Sequence, residues 1–275
     1  MKFSMNVLNS ACLLLFAAGA SAGPVSQYYL TAGDQGTNWV VQGSGVVNTW
    51  RQQHPTNQGE YAIAVTSTVK TLGNGNCNGT GCGLGSQYTL GGTYTGTDYP
   101  YPPVTGSFYD SASDGVNNFL VDLRQVGTVW ETNGSYANPV RLFDVGAGFL
   151  GITFDQIDNT LWISQFSGNA VRHYTLGGSL LGSFNVAGLS TLTSLALDPA
   201  DRTLWMGSQG TEGTFYQYSR AGALLSTQTY AALQNQNTLG GEFRVTAAVV
   251  PEPATLALLG LGLAGLGVSR RRKLK

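Results

Sequence analysis

The sequence is poor in charge, in cysteine and in histidine, and each shortage limits what the chain can do. Charged residues make up 11% of its 275 residues, against roughly 25% in ordinary soluble proteins. Three cysteines and two histidines leave few ligands for a transition metal. His54 and His173 belong to no His-x-x-x-His or Glu-x-x-His pattern, and no Gly-x-Ser-x-Gly motif is present. We therefore predict no metal site, no catalytic residue and no cofactor.

The near-neutral formal charge of the chain, −1, hides an acidic body. Between Gly23 and Val249 there are eight Lys and Arg but fourteen Asp and Glu. Nucleic acids and anionic lipids both require a basic surface. We therefore expect no nucleic-acid partner. Glycine and neutral polar residues replace charge, while aromatic residues are spread along the body, which favours an extracellular β protein over a disordered one.

The first 22 residues predict a signal peptide. Lys2 supplies a positive start, and an apolar segment follows from Ala11 to Ala20. Small residues at Ala20-Ser21-Ala22 suit signal peptidase, so we expect cleavage between Ala22 and Gly23. Cys12 would leave with this segment.

The last residues combine three features: Pro251-Glu252-Pro253, an apolar run over 254–268, and a basic end at Arg270, Arg271, Arg272 and Lys273. As a helix the run reaches only about 22 Å, short of a hydrocarbon core of about 30 Å. It predicts a marginal transmembrane helix with the basic end in the cytoplasm and the body of the chain outside.

Residues 250–275 resemble the PEP-CTERM sorting signal of Gram-negative bacteria. The resemblance implies that the membrane protease exosortase cuts near the Pro-Glu-Pro motif, after a transient inner-membrane stage. It also implies delivery to the cell surface or the extracellular matrix, commonly in species that make exopolysaccharide. The alternative is an ordinary single-pass anchor, which requires the helix and the charges but not the Pro-Glu-Pro motif.

Two cysteines remain after processing, Cys77 and Cys82, with four residues between them. Disulfides form in exported proteins, so we predict a small bridged loop; the alternative is free thiols or a metal site.

The body contains a repeat. Asp155 and Trp162 in Gly-Ile-Thr-Phe-Asp-Gln-Ile-Asp-Asn-Thr-Leu-Trp recur after 43 residues as Asp198 and Trp205. A following Tyr and Gly recur at a spacing of 44, and Trp130 and, more weakly, Trp50 continue the series upstream. Each unit reads as four strands separated by turns rich in Asp, Asn, Pro and Gly.

A four-stranded unit of about 40 to 45 residues is the size of a β-propeller blade. The repeated segments, with their recurring Asp, Trp, Tyr and Gly, resemble the loose NHL or YVTN class of propeller repeats. We predict an all-β fold with one propeller-like repeat domain over 23–249, in about five blades near residues 27–59, 60–102, 103–146, 147–190 and 191–234. Residues 235–248 would pair with the first strand and close the ring; a β-sandwich is the alternative.

The remaining candidates for chemistry have plain structural interpretations. Asp155 with Asp158, and Asp198 with Asp201, suit turn capping better than calcium binding. The recurring aromatics Trp50, Trp130, Tyr174 and Tyr218 suit packing between blades better than sugar stacking. An acidic group remains open as a source of paired carboxylates for glycosidic cleavage, and its members are Asp110, Asp114, Asp122, Glu131 and Asp144.

The sequence thus predicts a non-enzymatic exported protein that binds or organises extracellular polysaccharide or a surface protein. Its processing partners would be signal peptidase and exosortase. The alternatives are an extracellular propeller hydrolase or lactonase with carboxylates in its channel, and a surface sensor module.

Overall fold

The turn chemistry of the repeat forms tight hairpins. In the computed structural model, which describes residues 23–54, 59–73, 83–124 and 126–245, the Asp155 carboxylate accepts the N–H of Ile157 at 3.1 Å. Asn159 closes the same turn with φ of 56°. The equivalent turn has Asp198 bound to the N–H of Ala200 at 2.9 Å. The predicted capping role of both aspartates is therefore confirmed.

These hairpins build five four-stranded antiparallel sheets. The predicted five-bladed propeller is confirmed, and the sandwich alternative is not observed. Blade 1 contains β1 (Tyr28–Ala32), β2 (Thr37–Gln42), β3 (Gly45–Arg51) and β20 (Gly240–Phe243). Blade 2 contains β4 (Glu60–Val65), β5 (Val69–Gly73), β6 (Gly85–Tyr88) and β7 (Tyr94–Tyr99). Blade 3 contains β8 (Ser111–Ser113), β9 (Asn117–Val121), β10 (Thr128–Asn133) and β11 (Val140–Asp144).

The last two blades are the regular ones. Blade 4 contains β12 (Phe149–Asp155), β13 (Thr160–Gln165), β14 (Ala170–Thr175) and β15 (Leu180–Asn185). Blade 5 contains β16 (Leu192–Leu197), β17 (Leu204–Ser208), β18 (Thr214–Tyr218) and β19 (Leu224–Thr229). Two short 3-10 helices, Gly33–Gln35 and Ala231–Leu233, complete the described elements.

The ring closes as predicted, because the last strand joins the first blade. Strand β20 pairs with β1 in antiparallel register, with Tyr28 opposite Phe243 and Thr31 opposite Gly240. Strand β20 is thereby the innermost strand of blade 1, as β4, β8, β12 and β16 are in theirs. Closure leaves the outermost strands as sheet edges at the rim, while the innermost strands are edges enclosed around the axis.

The hydrophobic core lies between blades. Each neighbouring pair of blades shares one apolar cluster, such as that of Leu195, Met206 and Trp162 between blades 4 and 5. Aromatic side chains of the outermost strands also cover hairpins of the next blade. A Cβ on Gly222, whose φ is 86°, would come within 2.6 Å of Phe184. Only glycine fits there.

We call the side where the innermost strands end the carboxyl face, and the side where they begin the amino face. Both ends of the described chain lie at the carboxyl face. Val245 follows β20 there and donates its N–H to the Val65 carbonyl at 2.8 Å. Val25 and Ser26 donate to Asp198, which directly follows β16, at 2.9 and 3.0 Å.

Within the described residues, no helix has the length and apolarity needed to cross a bilayer. The predicted spanning segment, 254–268, is outside those residues.

Candidate functional site

The axis of the propeller is filled by a carboxylate. Asp110 precedes β8 and is fully buried. Its Oδ1 accepts the N–H of Ser111 at 3.0 Å and of Gly241 at 2.9 Å. Its Oδ2 accepts the N–H of Ile152 and of Leu195, each at 3.2 Å. One side chain thus binds the innermost strands of blades 1, 3, 4 and 5. Burial raises the pKa of the Asp110 carboxyl well above its ordinary value, and the four N–H donors offset part of that rise.

A second buried carboxyl group, Glu242, lies on the closing strand. Its side chain contacts the Thr153 hydroxyl at 3.1 and 3.2 Å, and it accepts the N–H of Phe243 at 2.8 Å. Burial raises the pKa of Glu242 well above its ordinary value, and the charge of Asp110 raises it further. Glu242 differs from Asp110 in one respect that matters for chemistry, since it lines a cavity.

Two adjoining cavities open on the carboxyl face. The first, of about 220 Å³, lies over Glu242 between the ends of β12, β16 and β20. The second, of about 770 Å³, extends over the ends of β4 and β8. Both are lined by Phe154, Gln156, Arg244 and Val245. Together they form a shallow basin above a closed axis, and we call this the axial basin.

The wall of the axial basin is held by ion pairs between blades 4 and 5. Asp155 is 1% exposed and accepts an Arg202 N–H at 2.8 Å. Arg202 also pairs with Asp158 at 2.9 Å, and Arg220 pairs with both aspartates. These partners occupy Asp155 and Asp158. In the equivalent pair, Asp198 binds N–H groups of Val25, Ser26 and Ala200, and Asp201 binds the Thr203 N–H and the Gln217 amide. Among the described residues, no group of three or more His, Cys, Asp or Glu is arranged to hold a metal ion.

The amino face carries a cavity of about 270 Å³, smaller than the axial basin as a whole. Tyr61 and Tyr109 line it with ring centroids 5.3 Å apart in an edge-to-face contact. Asp34 accepts hydrogen bonds there from the Tyr61 hydroxyl and, at 3.1 Å, from the Asn237 amide. The Asp34 carboxylate is therefore already occupied by neighbours in the chain.

His173 lies near the rim of the propeller, with its ring stacked on Trp162 at 4.0 Å between centroids. Its Nε2 contacts the Thr160 hydroxyl at 2.7 Å. Burial lowers the pKa of His173, and the nearby Arg220 lowers it further. The other histidine, His54, faces Asp98 at 3.1 Å. Each histidine thus has a structural partner in the described chain.

The acidic group of the central sequence is not brought together. Asp114 caps its own hairpin through the N–H of Val116 and Asn117, and Asp122 caps the N–H of Ser107. Glu131 accepts a hydrogen bond from Asn117, while Asp144 pairs with Arg141. Asp110 alone reaches the axis, where it is joined by Glu242. The sequence analysis missed Glu242 because this residue lies after the last repeat. The signal that could have identified it is that Glu242 is the single acidic residue in the segment 235–248, which was expected to close the ring.

The recurring aromatics pack between blades, as predicted. Tyr174 contacts Phe143 with ring centroids 5.3 Å apart, and Tyr218 contacts Phe184 at 5.9 Å. One assignment was wrong: Trp50 lies on β3, the fourth strand of its blade. The others lie on third strands. The difference arises because blade 1 takes its innermost strand from the chain end, which shifts the count of strands.

Several predicted residues fall outside the described chain. These are the cysteines Cys77 and Cys82, the motif Pro251-Glu252-Pro253, the basic residues Arg270 to Lys273, and Ala22. Gly23, on the other side of the predicted signal peptidase site, is the first described residue. It is buried against the β2–β3 hairpin, where an added Cβ would overlap the Gly43 carbonyl.

Comparison with known protein families matches one model, the PEP-CTERM protein-sorting motif, to residues 249–273. The motif indicates an exported chain that passes through the membrane and is processed by exosortase. Comparison with curated proteins finds no match.

Among solved structures, the chain resembles one in a nidogen–laminin complex, with a TM-score of 0.53 and 12% identity over 79% of this chain and 97% of that one. It also resembles virginiamycin B lyase from Staphylococcus aureus, with a TM-score of 0.45 and 16% identity over 76% and 70% of the two chains. A protein of unknown function from Bacteroides caccae has a TM-score of 0.45 and 12% identity over 74% and 73%. At these identities the likeness concerns the fold.

Proposed function

We propose that this exported propeller is a non-enzymatic binding protein of the cell surface or extracellular matrix of a Gram-negative bacterium, and that it binds extracellular polysaccharide in the axial basin. Signal peptidase cuts between Ala22 and Gly23, and exosortase cuts near Pro251-Glu252-Pro253. The transmembrane stage through residues 254–268 is transient.

The main observation that supports a binding role is that the axis of the propeller is closed. A propeller that uses channel carboxylates for hydrolysis must present them to a substrate, whereas Asp110 is fully buried and bound to four N–H groups. What remains accessible above it is a basin whose polar lining includes Gln156 and Arg244 together with the carboxyl residues Asp114, Asp155 and Glu242. Amide and guanidinium groups donate to sugar hydroxyls and carboxylates.

Arg244 is the side chain that we use to test binding in the axial basin. It is exposed, lines both parts of the basin, and donates a 3.2 Å hydrogen bond to the Thr66 carbonyl. We expect Arg244→Ala to weaken binding of exopolysaccharide purified from the producing strain by about tenfold, because a charge-assisted hydrogen bond is lost. Isothermal titration calorimetry measures the effect.

Arg51→Ala is the matched control, because Arg51 is an exposed arginine at the end of β3, on the amino face. Equal affinities for the wild type and both variants, or no heat with the wild type, would contradict the polysaccharide assignment. The sorting step is tested separately by mass spectrometry of the mature protein with and without exosortase; a tail that persists through Lys275 in both strains contradicts it.

A hydrolase is the second candidate, and Glu242 is the observation that favours it. Its raised pKa and its place in the floor of the basin are those of a general acid. If the protein shortens the same polysaccharide, Glu242→Gln should abolish cleavage and leave binding intact. Absence of any new reducing ends with the wild type argues against this candidate.

A further inference from the structure

The exposed apolar side chains are concentrated on one face of the propeller. Among the described residues, twelve large apolar side chains are exposed, and ten of them lie on or beside hairpins and chain ends of the carboxyl face. Leu84 and Val126 are the two exceptions, and both lie toward the amino face. Scattered exposed apolar residues are normal, whereas a one-sided distribution marks an interaction surface.

This surface is built by the repeat itself. Three blades carry an exposed apolar pair where the outermost strand leaves its carboxyl-face hairpin: Val46 and Val47, Leu180 and Leu181, and Leu224 and Leu225. The blades concerned, 4, 5 and 1, are consecutive around the ring. We call this set, together with Val25 and Ile157, the apolar sector.

Most carboxylates beside the apolar sector have partners, although the body as a whole is acidic. Asp155 and Asp158 are both paired with arginines. Asp198 is buried and binds N–H groups, so Asp201, which binds Thr203 and Gln217, is the exposed carboxylate of blade 5 at this face. An apolar surface with few unpaired charges suits the interface between lipid headgroups and acyl chains.

The chain ends specify what covers this surface. Val245, the last described residue, lies at the carboxyl face, and the apolar run begins at residue 254. The intervening nine steps of chain reach at most about 30 Å when fully extended. While the run spans the membrane, Val245, where the chain leaves the carboxyl face, therefore stays within that distance of the start of the run.

We propose that the apolar sector of the membrane-tethered precursor rests on the bilayer, with Leu181 and Leu225 inserted at the headgroup boundary. This inference rests on the transmembrane stage of the proposed function. It implies that the axial basin faces the lipid until exosortase separates the body from the membrane, so that cleavage exposes the basin to polysaccharide.

A fluorescent reporter tests the inference. The signal-processed chain with its tail intact is reconstituted into phosphatidylcholine vesicles, with Cys77→Ser and Cys82→Ser in the background. An NBD label is attached at Leu225→Cys or, as the matched control on the amino face, at Val126→Cys. We expect NBD emission at position 225 to shift to the blue and brighten on reconstitution, and emission at position 126 to stay unchanged.

Three outcomes overturn the inference. A label at position 225 that behaves like the label at 126, in protein that floats with the vesicles, shows that the sector does not contact lipid. A blue shift that disappears on dilution to one chain per vesicle shows that a second copy covers the sector. A shift at Val47→Cys that Leu181→Gln and Leu225→Gln together leave unchanged shows that these leucines do not anchor the face.

The same preparation separates this inference from the proposed function. Protein that fails to float with the vesicles contradicts the transmembrane tail itself. Protein that floats but gives no shift contradicts only the contact of the apolar sector with lipid.

Discussion

Two neighbouring interfaces of the ring, blade 4 against blade 5 and blade 5 against blade 1, start from the same aspartate of the repeat. In the first, Asp155 binds the guanidinium group of Arg202 from the next blade. In the second, Asp198 binds the main-chain N–H groups of Val25 and Ser26. Two equivalent turns are thus joined to the next blade in different ways, one by a side chain and the other by the chain end.

The difference follows from how the ring closes. Blade 5 has a hairpin after its innermost strand, and that hairpin carries Arg202, which has a φ of 60° and whose guanidinium group reaches Asp155 of blade 4. Blade 1 has no such hairpin, because its innermost strand β20 and its second strand β1 come from opposite ends of the chain. The segment at 23–26 takes the place of the missing hairpin. The seam between the two ends therefore depends on main-chain pairing.

The largest expected effect comes from removing the closing strand. A chain that ends at Thr238 lacks β20, and with it the antiparallel pairing to β1 and the N–H of Gly241 that binds Asp110. We expect it to lose most of its stability, roughly 5 kcal/mol or more, and to lose a single cooperative urea transition. A chain that ends at Val250 is the control and should unfold like the full body. Cooperative unfolding of the shorter chain would show that the seam is no weaker than the internal interfaces.

Asp110 ties the two interfaces together, because it bonds to blades 1, 4 and 5 at once. Asp110→Ala leaves buried N–H groups without an acceptor, and we expect a loss of about 3–5 kcal/mol in the free energy of unfolding. Asp110→Asn, which preserves the shape and one accepting oxygen, should cost less. The urea midpoint and slope measure both changes. A loss for the alanine variant no greater than for an exposed substitution would remove Asp110 from the role given to it.

The comparison of the two aspartates can be made directly. Asp198→Ala frees the N–H groups of Val25, Ser26 and Ala200, and should cost about 2 kcal/mol. Asp155→Ala should cost less, about 1 kcal/mol, because it frees two turn N–H groups, those of Ile157 and Asp158, and because Arg202 is 32% exposed and keeps its pair with Asp158. Thermal unfolding of the two variants side by side gives the difference. Equal losses would mean that main-chain and side-chain attachment are equivalent.

The smallest expected effect is a pH dependence located at the seam. Burial raises the pKa of Glu242 in the folded chain. At a pH between the unfolded and the folded pKa, the folded state therefore holds a proton that the unfolded state has released. The stability contributed by that proton is present below the unfolded pKa and is lost as pH rises toward the folded pKa. We expect lower urea midpoints at pH 8 than at pH 5, and a flatter dependence for Glu242→Gln. An unchanged slope in that variant would assign the dependence to other groups.

The fold was largely predictable because the repeat has both a period and recognisable turns. The spacing of Asp155 and Asp198 located blades 4 and 5, and the remaining length implied three more blades and a closing strand. The error at Trp50 has a physical origin: a blade assembled from both chain ends breaks the correspondence between order along the chain and order within the sheet. A repeat period measured along the chain cannot show that one strand of a blade comes from the other end of the chain.

The candidate site was less predictable, since it depends on which strands meet at the axis. The five acidic residues from Asp110 to Asp144 looked equivalent in sequence, yet the four other than Asp110 bind neighbours close to them along the chain. Glu242 joins Asp110 only because residues 240–243 insert beside β1, more than 200 residues away in the chain. The apolar sector likewise appears only when the outermost strands of blades 4, 5 and 1 are placed side by side.

Pairing of the first described strand with the last also sets the order of events during export. Strand β1 is among the first segments to reach the far side of the membrane, yet its partner β20 emerges only after every other blade has crossed. Until then the inner edge of β1 presents unpaired main-chain groups, a form exposed to mispairing and aggregation. Folding of this chain is therefore complete only once β20 has paired with β1, which makes the interval before that pairing the period in which a chaperone would be of most use.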